Sequence, residues 1–349
     1  MPQRRIYLDH AATTPILPAA GDAMVEAMRR WANPSSPHAE GRTARAALED
    51  ARERIKTALG WSGSIIFTSG ASEALQIALQ RAKGAARYVS AVEHDAVFRA
   101  APNAERLPVD QYGIVLLPSP EHSGVYAVQH ANSETGVIQP LDRVAEIVRN
   151  RGALLLADCA QTAGKLPLPD ADMIAISAHK FGGPPGVGAL LLRDLAMIDA
   201  MGGQEQGYRP GTENLPGILG MAAALEAGSG WMDRIALLRQ RLERAIEDPG
   251  GETVGGGCER IATIGAYRMP GVASTTQLIQ FDMAGIAVSA GSACSSGSMK
   301  PSHVLAAMGW REAEAREVVR VSFGWTTTEE DIDRFAEVWT ATAARRRAA

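Results

Sequence analysis

Short, continuously apolar runs alternate along this chain with longer amphipathic stretches. The runs Ser64-Ile-Ile-Phe-Thr68, Tyr88-Val-Ser-Ala-Val92, Val125-Tyr-Ala-Val-Gln129, Ala153 to Ala157, Met173 to Ser177 and Val187 to Leu192 predict strands buried on both faces. Helical patterns fill Ala39 to Leu59, Ser72 to Lys83, Leu141 to Arg151 and Asn214 to Ala227. Strands and helices in alternation predict an α/β fold with a mostly parallel sheet covered on both sides. From about Trp231 the pattern changes. A charged helix, Met232 to Glu247, leads into a Gly-rich patch at 250–257; shorter runs follow at Arg260 to Gly265 and Val318 to Phe323, then a last helix from Glu329 to about Arg347. This predicts a smaller α+β domain, with the first dozen residues packed against it. The expected division is a large domain over 15–230 and a small one made of 1–14 and 231–349. A chain of 349 residues exceeds what one simple core usually supports, which agrees with two domains.

Composition narrows the class. A hydrophobic content of 46% with 21% charged residues describes a soluble globular enzyme rather than a disordered or fibrous chain. The formal net charge of −4 gives no electrostatic case for nucleic acid. The terminal Arg345-Arg-Arg347 reads as a solvated helix end, where cations suit the helix dipole. Three widely spaced cysteines, Cys159, Cys258 and Cys294, make neither a disulfide framework nor a zinc pattern. No run approaches transmembrane length and the N-terminus has no apolar signal core. The expectation is a cytoplasmic protein with reduced thiols, without metal and without membrane attachment.

The candidate chemistry lies where predicted strands end. Asp158 closes the run Leu154-Leu-Leu-Ala157, and Lys180 follows Met173 to Ser177 in Ser177-Ala-His-Lys-Phe-Gly-Gly. A lysine leaving one buried strand and an aspartate leaving another are what pyridoxal phosphate (PLP) requires: a Schiff-base amine, and a carboxylate to pair with the pyridinium nitrogen. Thr68-Ser-Gly-Ala-Ser-Glu73 follows a strand and opens a helix, so the amides around Ala71 and Ser72, with the Ser72 hydroxyl, suit a phosphate. His94 follows another strand and is placed to stack on a ring and to act as acid or base near neutral pH. Asn132 and Gln161 are candidates for the ring's phenolic oxygen, and Ser177 and His179 for the phosphate. Cys294 lies in Ser289-Ala-Gly-Ser-Ala-Cys-Ser-Ser-Gly-Ser298, among Gly and Ser residues with no apolar packing face. Cys159 and Cys258 read as structural.

Together these segments resemble the class V, fold type I PLP enzymes. The resemblance rests on Tyr7-Leu-Asp-His-Ala-Ala-Thr-Thr-Pro15, Asn33-Pro-Ser-Ser-Pro-His38, Thr68-Ser-Gly-Ala-Ser-Glu73, His130-Ala-Asn-Ser-Glu-Thr-Gly136, Asp158-Cys-Ala-Gln161, Ser177-Ala-His-Lys180 and Gly202-Gly-Gln-Glu-Gln-Gly-Tyr-Arg-Pro-Gly-Thr-Glu-Asn214. The segment around Cys294 is similar to the cysteine loop of group I (NifS/IscS-like) cysteine desulfurases. The resemblance implies a seven-stranded-type sheet, L-cysteine as substrate, L-alanine as product and a persulfide on Cys294. It further implies that Lys180 moves the Cα proton and that Arg320, assisted by Asn33 and Asn132, grips the substrate carboxylate. Thr212 matches a position that reaches the phosphate of the neighbouring subunit, so a homodimer is implied, with a protein sulfur acceptor such as an iron–sulfur scaffold or a relay protein. The sequence departs from the family pattern at Ala74-Leu75, where Asn-Asn is usual, at Ser72 for Thr, and at Ser133 for Asn. It also looks shorter than the family between His94 and Val125 and after the last helix, which implies a reduced acceptor interface or a different acceptor. A selenocysteine lyase or small-amino-acid aminotransferase of the same fold, and a non-catalytic sulfur carrier, are the alternatives.

Overall fold

The computed structural model describes residues 4–117, 123–291 and 301–347. Seven strands form the main sheet, in the spatial order Ser64–Thr68, Gly188–Leu192, Met173–Ser177, Leu154–Asp158, Val125–Gln129, Arg87–Ser90 and Glu105–Leu107. Gly188–Leu192 runs antiparallel to both its neighbours, while all other pairs are parallel. Burial on both faces explains the continuously apolar runs, yet a period of two persists inside them. Ile65 and Phe67, Leu155 and Ala157, Ile174 and Ile176, and Ala189 and Leu191 face one core. Ile66, Leu156, Met173, Ala175, Leu190 and Leu192 face the other.

The first core is closed by the helices Ala39–Leu59, Leu141–Asn150 and Leu215–Glu226, through Leu48, Ile55, Val144, Val148, Ile218 and Met221. The second is closed by Ala71–Arg81 and Asp95–Ala100, through Leu75, Ala78 and Val97. Small residues at Ala74 and Ala78 let the helix that begins at Ala71 lie close to the sheet. Ala74 and Leu75 are both buried there, so the substituted pair packs.

A separate core gathers Ile6 and Leu8 with Ile235, Leu242, Phe281, Val319, Val321, Phe335 and Trp339. It is built on an antiparallel sheet of Val318–Ser322, Ile264–Arg268 and Glu252–Thr253. Ile6–Tyr7 pairs in parallel with Ile286–Ala287, which ties the first residues to the C-terminal part. Two strands differ from the sequence reading in their boundaries. The strand expected at Arg260 to Gly265 runs instead from Ile264 to Arg268, because the Ile261 amide is committed to the Gly136 carbonyl. The strand expected from Tyr88 to Val92 stops at Ser90, where the chain turns toward His94. The helices Pro18–Arg29 and Ser274–Met283 were not predicted.

Candidate active site

The parallel strands deliver Ser90, Gln129, Asp158 and Ser177 to one edge of the sheet, the place where α/β folds bind ligands. A cavity of about 430 Å³ opens there. Its wall includes Ala71, Ser72, His94, Asp158 and Gln161, together with Ser177, His179, Lys180 and Arg320. Nine of the sequence-derived candidates therefore meet in one place.

Asp158 is buried at the end of its strand, and one carboxylate oxygen accepts the Ala160 N–H at 2.9 Å. Burial raises its pKa, opposed by that N–H and by the positive charges of His94 and Lys180. A cationic ring nitrogen against this carboxyl would restore its ionised form. Lys180 closes a single turn of 3₁₀ helix, Ala178–Lys180. Its Nζ donates to the carbonyls of Ala11 at 2.5 Å and Ala12 at 2.8 Å. His179 Nδ1 lies 3.2 Å from Thr13 Oγ1. Burial, then the charges of Lys180 and Lys165, pushes the His179 pKa down to about 4, so the ring is neutral near pH 7.

One end of the cavity is formed by the start of the helix Ala71–Arg81. Gly70 caps it at φ 156° with the Ser177 hydroxyl close by: a Cβ on Gly70 would sit 3.5 Å from that oxygen. Gly188, paired with both Thr68 and Ser177, passes beneath. A Cβ on Gly188 would lie 2.6 Å from the Gly70 Cα and 2.4 Å from the Ile176 carbonyl oxygen. Two glycines thus let the helix start press onto the sheet edge, where its free N–H groups face the cavity. Glu73 fixes that start by accepting the Ser69 N–H at 2.5 Å and pairing with Arg209 Nε at 2.9 Å.

His94 is the N-cap of Asp95–Ala100, and its Nδ1 accepts the Ala96 N–H at 3.2 Å. That bond needs the Nδ1 lone pair, so the neutral ring carries its proton on Nε2. Arg320, on the strand Val318–Ser322, donates from Nη1 to the Ser133 carbonyl at 3.0 Å and from Nη2 to Asp9 Oδ1 at 2.8 Å.

Three candidates stand outside the cavity lining. Asn132 is buried and spent on its own turn. Its Oδ1 accepts the amides of Glu134 and Thr135, each at 2.9 Å, and its Nδ2 donates to the Val92 carbonyl at 3.1 Å. Ser133 lines the cavity in its stead. Asn33 is exposed, with Oδ1 accepting the Ser35 amide at 2.9 Å. Thr212 is exposed in the loop before Leu215. Cys294 lies outside the described residues. Cys159 is fully buried, and burial pushes its thiol pKa well up, which suits an inert packing role. No group of three His, Cys, Asp or Glu side chains among the described residues is placed to hold a metal ion, and no helix among them is long and apolar enough to cross a membrane.

The segment Asp9 to Thr13 escaped the reading of individual residues. It supplies carbonyls to Lys180, a carboxylate to Arg320, a hydroxyl to His179, and the Ala11 carbonyl that accepts Gln161 Nε2 at 3.0 Å. Backbone carbonyls carry no side-chain signal, so only a whole-motif match could point to them. The donor set fits PLP: a helix N-terminus for the phosphate, Asp158 for the ring nitrogen, His94 for a ring face and Lys180 for the aldehyde. Gln161 Oε1 is buried in the same wall without a partner among the described residues, a polar atom that a bound cofactor could satisfy.

Comparison with known proteins adds an independent line. The model of the class-V aminotransferase family matches residues 6–335. A cysteine desulfurase of Cereibacter sphaeroides is 36% identical over 368 residues, covering 96% of this chain and 94% of that protein. Cysteine desulfurase IscS 1 of Archaeoglobus fulgidus is 36% identical over 364 residues, covering 95% of each. The X-ray structure of a NifS-like protein from Rickettsia africae superposes with a TM-score of 0.89 at 31% identity, covering 97% of this chain and 99% of the other.

Proposed function

Because the chain belongs to the class-V aminotransferase family and, within it, to the cysteine desulfurases, we propose that it moves the sulfur of L-cysteine onto Cys294 as a persulfide and releases L-alanine. The observation that carries this reading is the meeting of Lys180, Asp158, His94 and Arg320 in the wall of one cavity.

PLP, the cofactor of this family, supplies when bound an electron sink for the charge left at the substrate Cα. Lys180 would hold its aldehyde and Asp158 its ring nitrogen. The amides from Ala71 onward, with Ser72, Ser177 and His179, would hold its phosphate, and His94 would cover one ring face. With substrate in place, the Lys180 amine carries the Cα proton, and the carbonyls of Ala11 and Ala12 keep that amine in position between transfers. Arg320 takes the substrate carboxylate. His94 Nε2–H would give a proton to a developing anion. The Cys294 thiolate attacks the γ-sulfur, the Cβ–S bond breaks, and protonation of the remaining three-carbon unit yields alanine.

The reading extends to a homodimer in which Thr212 serves the neighbouring subunit. The exposure of Thr212 supports this, as does its neighbour Glu213, which is buried with both carboxylate oxygens unpartnered among the described residues. It also extends to a cytoplasmic location and a protein acceptor for the persulfide. The same reading divides the chain at about residues 14 and 230, supported by the separate core around Trp339. The test is release of sulfide and alanine from L-cysteine with a reductant, in wild type and Cys294→Ala. Equal products from wild type and little from the variant are expected, with persulfide mapped to the peptide of Cys294. Full activity in the variant, or label on Cys159, would sink the assignment.

A further inference from the structure

Arg320 already has an anion beside it. Asp9 Oδ1 accepts from Nη2 at 2.8 Å, the Ser133 carbonyl accepts from Nη1 at 3.0 Å, and Nε is buried without a partner among the described residues. The side chains of Arg320 and Asp9 are only 9% and 22% exposed. Their positions are preset by the backbone. The Ser322 amide donates to the Leu8 carbonyl at 2.8 Å, Ser322 Oγ accepts the Ala11 amide at 2.8 Å, and Arg320 exchanges both backbone bonds with Ser289 at 2.7 and 3.1 Å. The contact with Asp9 is a single hydrogen bond from a group with five N–H donors, so the guanidinium keeps donors for another carboxylate while its charge is already balanced.

We infer that Asp9 is the resident counter-ion of Arg320, opposing the substrate's α-carboxylate and so loosening the hold on substrate and product alike. The inference rests on the reading of Arg320 as the carboxylate-binding group. An incoming carboxylate meets a locally neutral pair and stands a few ångströms from the Asp9 charge, a repulsion sufficient for about a tenfold effect in a partly screened site. The arrangement suits the reaction. L-Alanine leaves with the same carboxylate and amine that L-cysteine brings, and a bare arginine would bind both equally tightly without raising turnover.

The test is calorimetric titration of the cofactor-loaded protein with three probes. 3-Mercaptopropionate offers a carboxylate and thiol without an amine, cysteamine an amine and thiol without a carboxylate, and L-alanine is the product. Asp9→Asn keeps the hydrogen-bond acceptor and removes the charge. It is expected to bind 3-mercaptopropionate and L-alanine about tenfold more tightly, with cysteamine unchanged. A merely structural role for Asp9 would shift all three probes together, and that outcome overturns the proposal. So does unchanged or weaker carboxylate binding in Asp9→Asn. Arg320→Ala separates the two readings. If it leaves 3-mercaptopropionate binding intact, Arg320 is not the carboxylate site and both fall. If it abolishes binding while Asp9→Asn does not tighten it, the counter-ion proposal alone fails. Asp9→Ser makes the same charge change should the asparagine variant fold poorly.

Discussion

Glu205 is the anchor of the loop from Gly202 to Asn214, and replacing it tests how that loop is held. Its side chain is 1% exposed and accepts three N–H groups: Arg52 Nη1 at 2.9 Å, Arg52 Nη2 at 3.0 Å and the Phe67 amide at 2.8 Å. The cost of this placement is visible in the backbone, since Glu205 and Gln206 sit at φ 48° and 58°, a region that non-glycine residues occupy only when their surroundings compel it. Glu205→Gln removes the charge and turns an N–H₂ toward the guanidinium, leaving Arg52 buried without its principal counter-charge. Glu49 remains at 2.9 Å but is 41% exposed, so the expected loss lies near the lower end for a broken buried pair, about 3 kcal/mol. Arg52→Met strands the Glu205 carboxylate and should cost about 4 kcal/mol. The double replacement Arg52→Met, Glu205→Met leaves only two unpartnered backbone groups, the Phe67 N–H and the Ile65 carbonyl that Arg52 Nη1 now meets at 2.7 Å. It should therefore cost about 2 kcal/mol. Urea unfolding of the cofactor-free protein reads this directly: at a slope of roughly 3 kcal/mol per molar, Glu205→Gln moves the midpoint down by about 1 M. A double variant whose loss equals the sum of the two singles would refute the coupling.

Two further outcomes follow from close approach and from burial. Gly188→Ala places a methyl within 2.6 Å of the Gly70 Cα, pushing the helix start proposed to hold the phosphate off the sheet edge. PLP affinity, followed by visible absorbance, should fall about tenfold or more, and unaltered affinity would refute the glycine cradle. Burial, reinforced by the nearby Lys180 charge, lowers the Lys165 pKa to about 7, below its unfolded value of about 10.5. Between those two pH values the unfolded chain binds more protons, so this group makes stability rise with pH. Lys165→Met should raise the unfolding midpoint of the cofactor-free protein at pH 6, with the gain shrinking as pH climbs from 7 toward 10; a pH-independent difference would contradict the assignment.

Most strands were legible because burial on both faces leaves an apolar run that few other structures produce. Strand direction was not: Gly188–Leu192 reads like its neighbours but runs antiparallel, since composition carries no sense of orientation. Glu105–Leu107 is three residues long and two of them are exposed, so nothing apolar betrays it. The helix Ser274–Met283 buries Gln277 through side-chain bonds to the Val272 and Glu317 carbonyls, an attachment invisible to a hydrophobic pattern. Lys180, Asp158, His94 and Ser177 meet in the cavity wall because each lies at or just beyond a strand end. Asn132 also follows a strand, but its side chain bonds its own loop, and only the fold determines that Ser133 lines the cavity.

The segment from Asp9 to Thr13 has a consequence for how the protein is made. Ala11 bonds the hydroxyl of Ser322 across 311 positions of sequence, so Ala11 leaves the ribosome long before its partner has been made. At elongation rates of about 5–20 residues per second, that wait is on the order of tens of seconds. Throughout it, the nascent chain can pair the strands that lead to Asp158 and Lys180 but cannot assemble Arg320 against Asp9. Synthesis therefore sets the order of assembly, with the sheet forming before the Arg320–Asp9 side of the cavity.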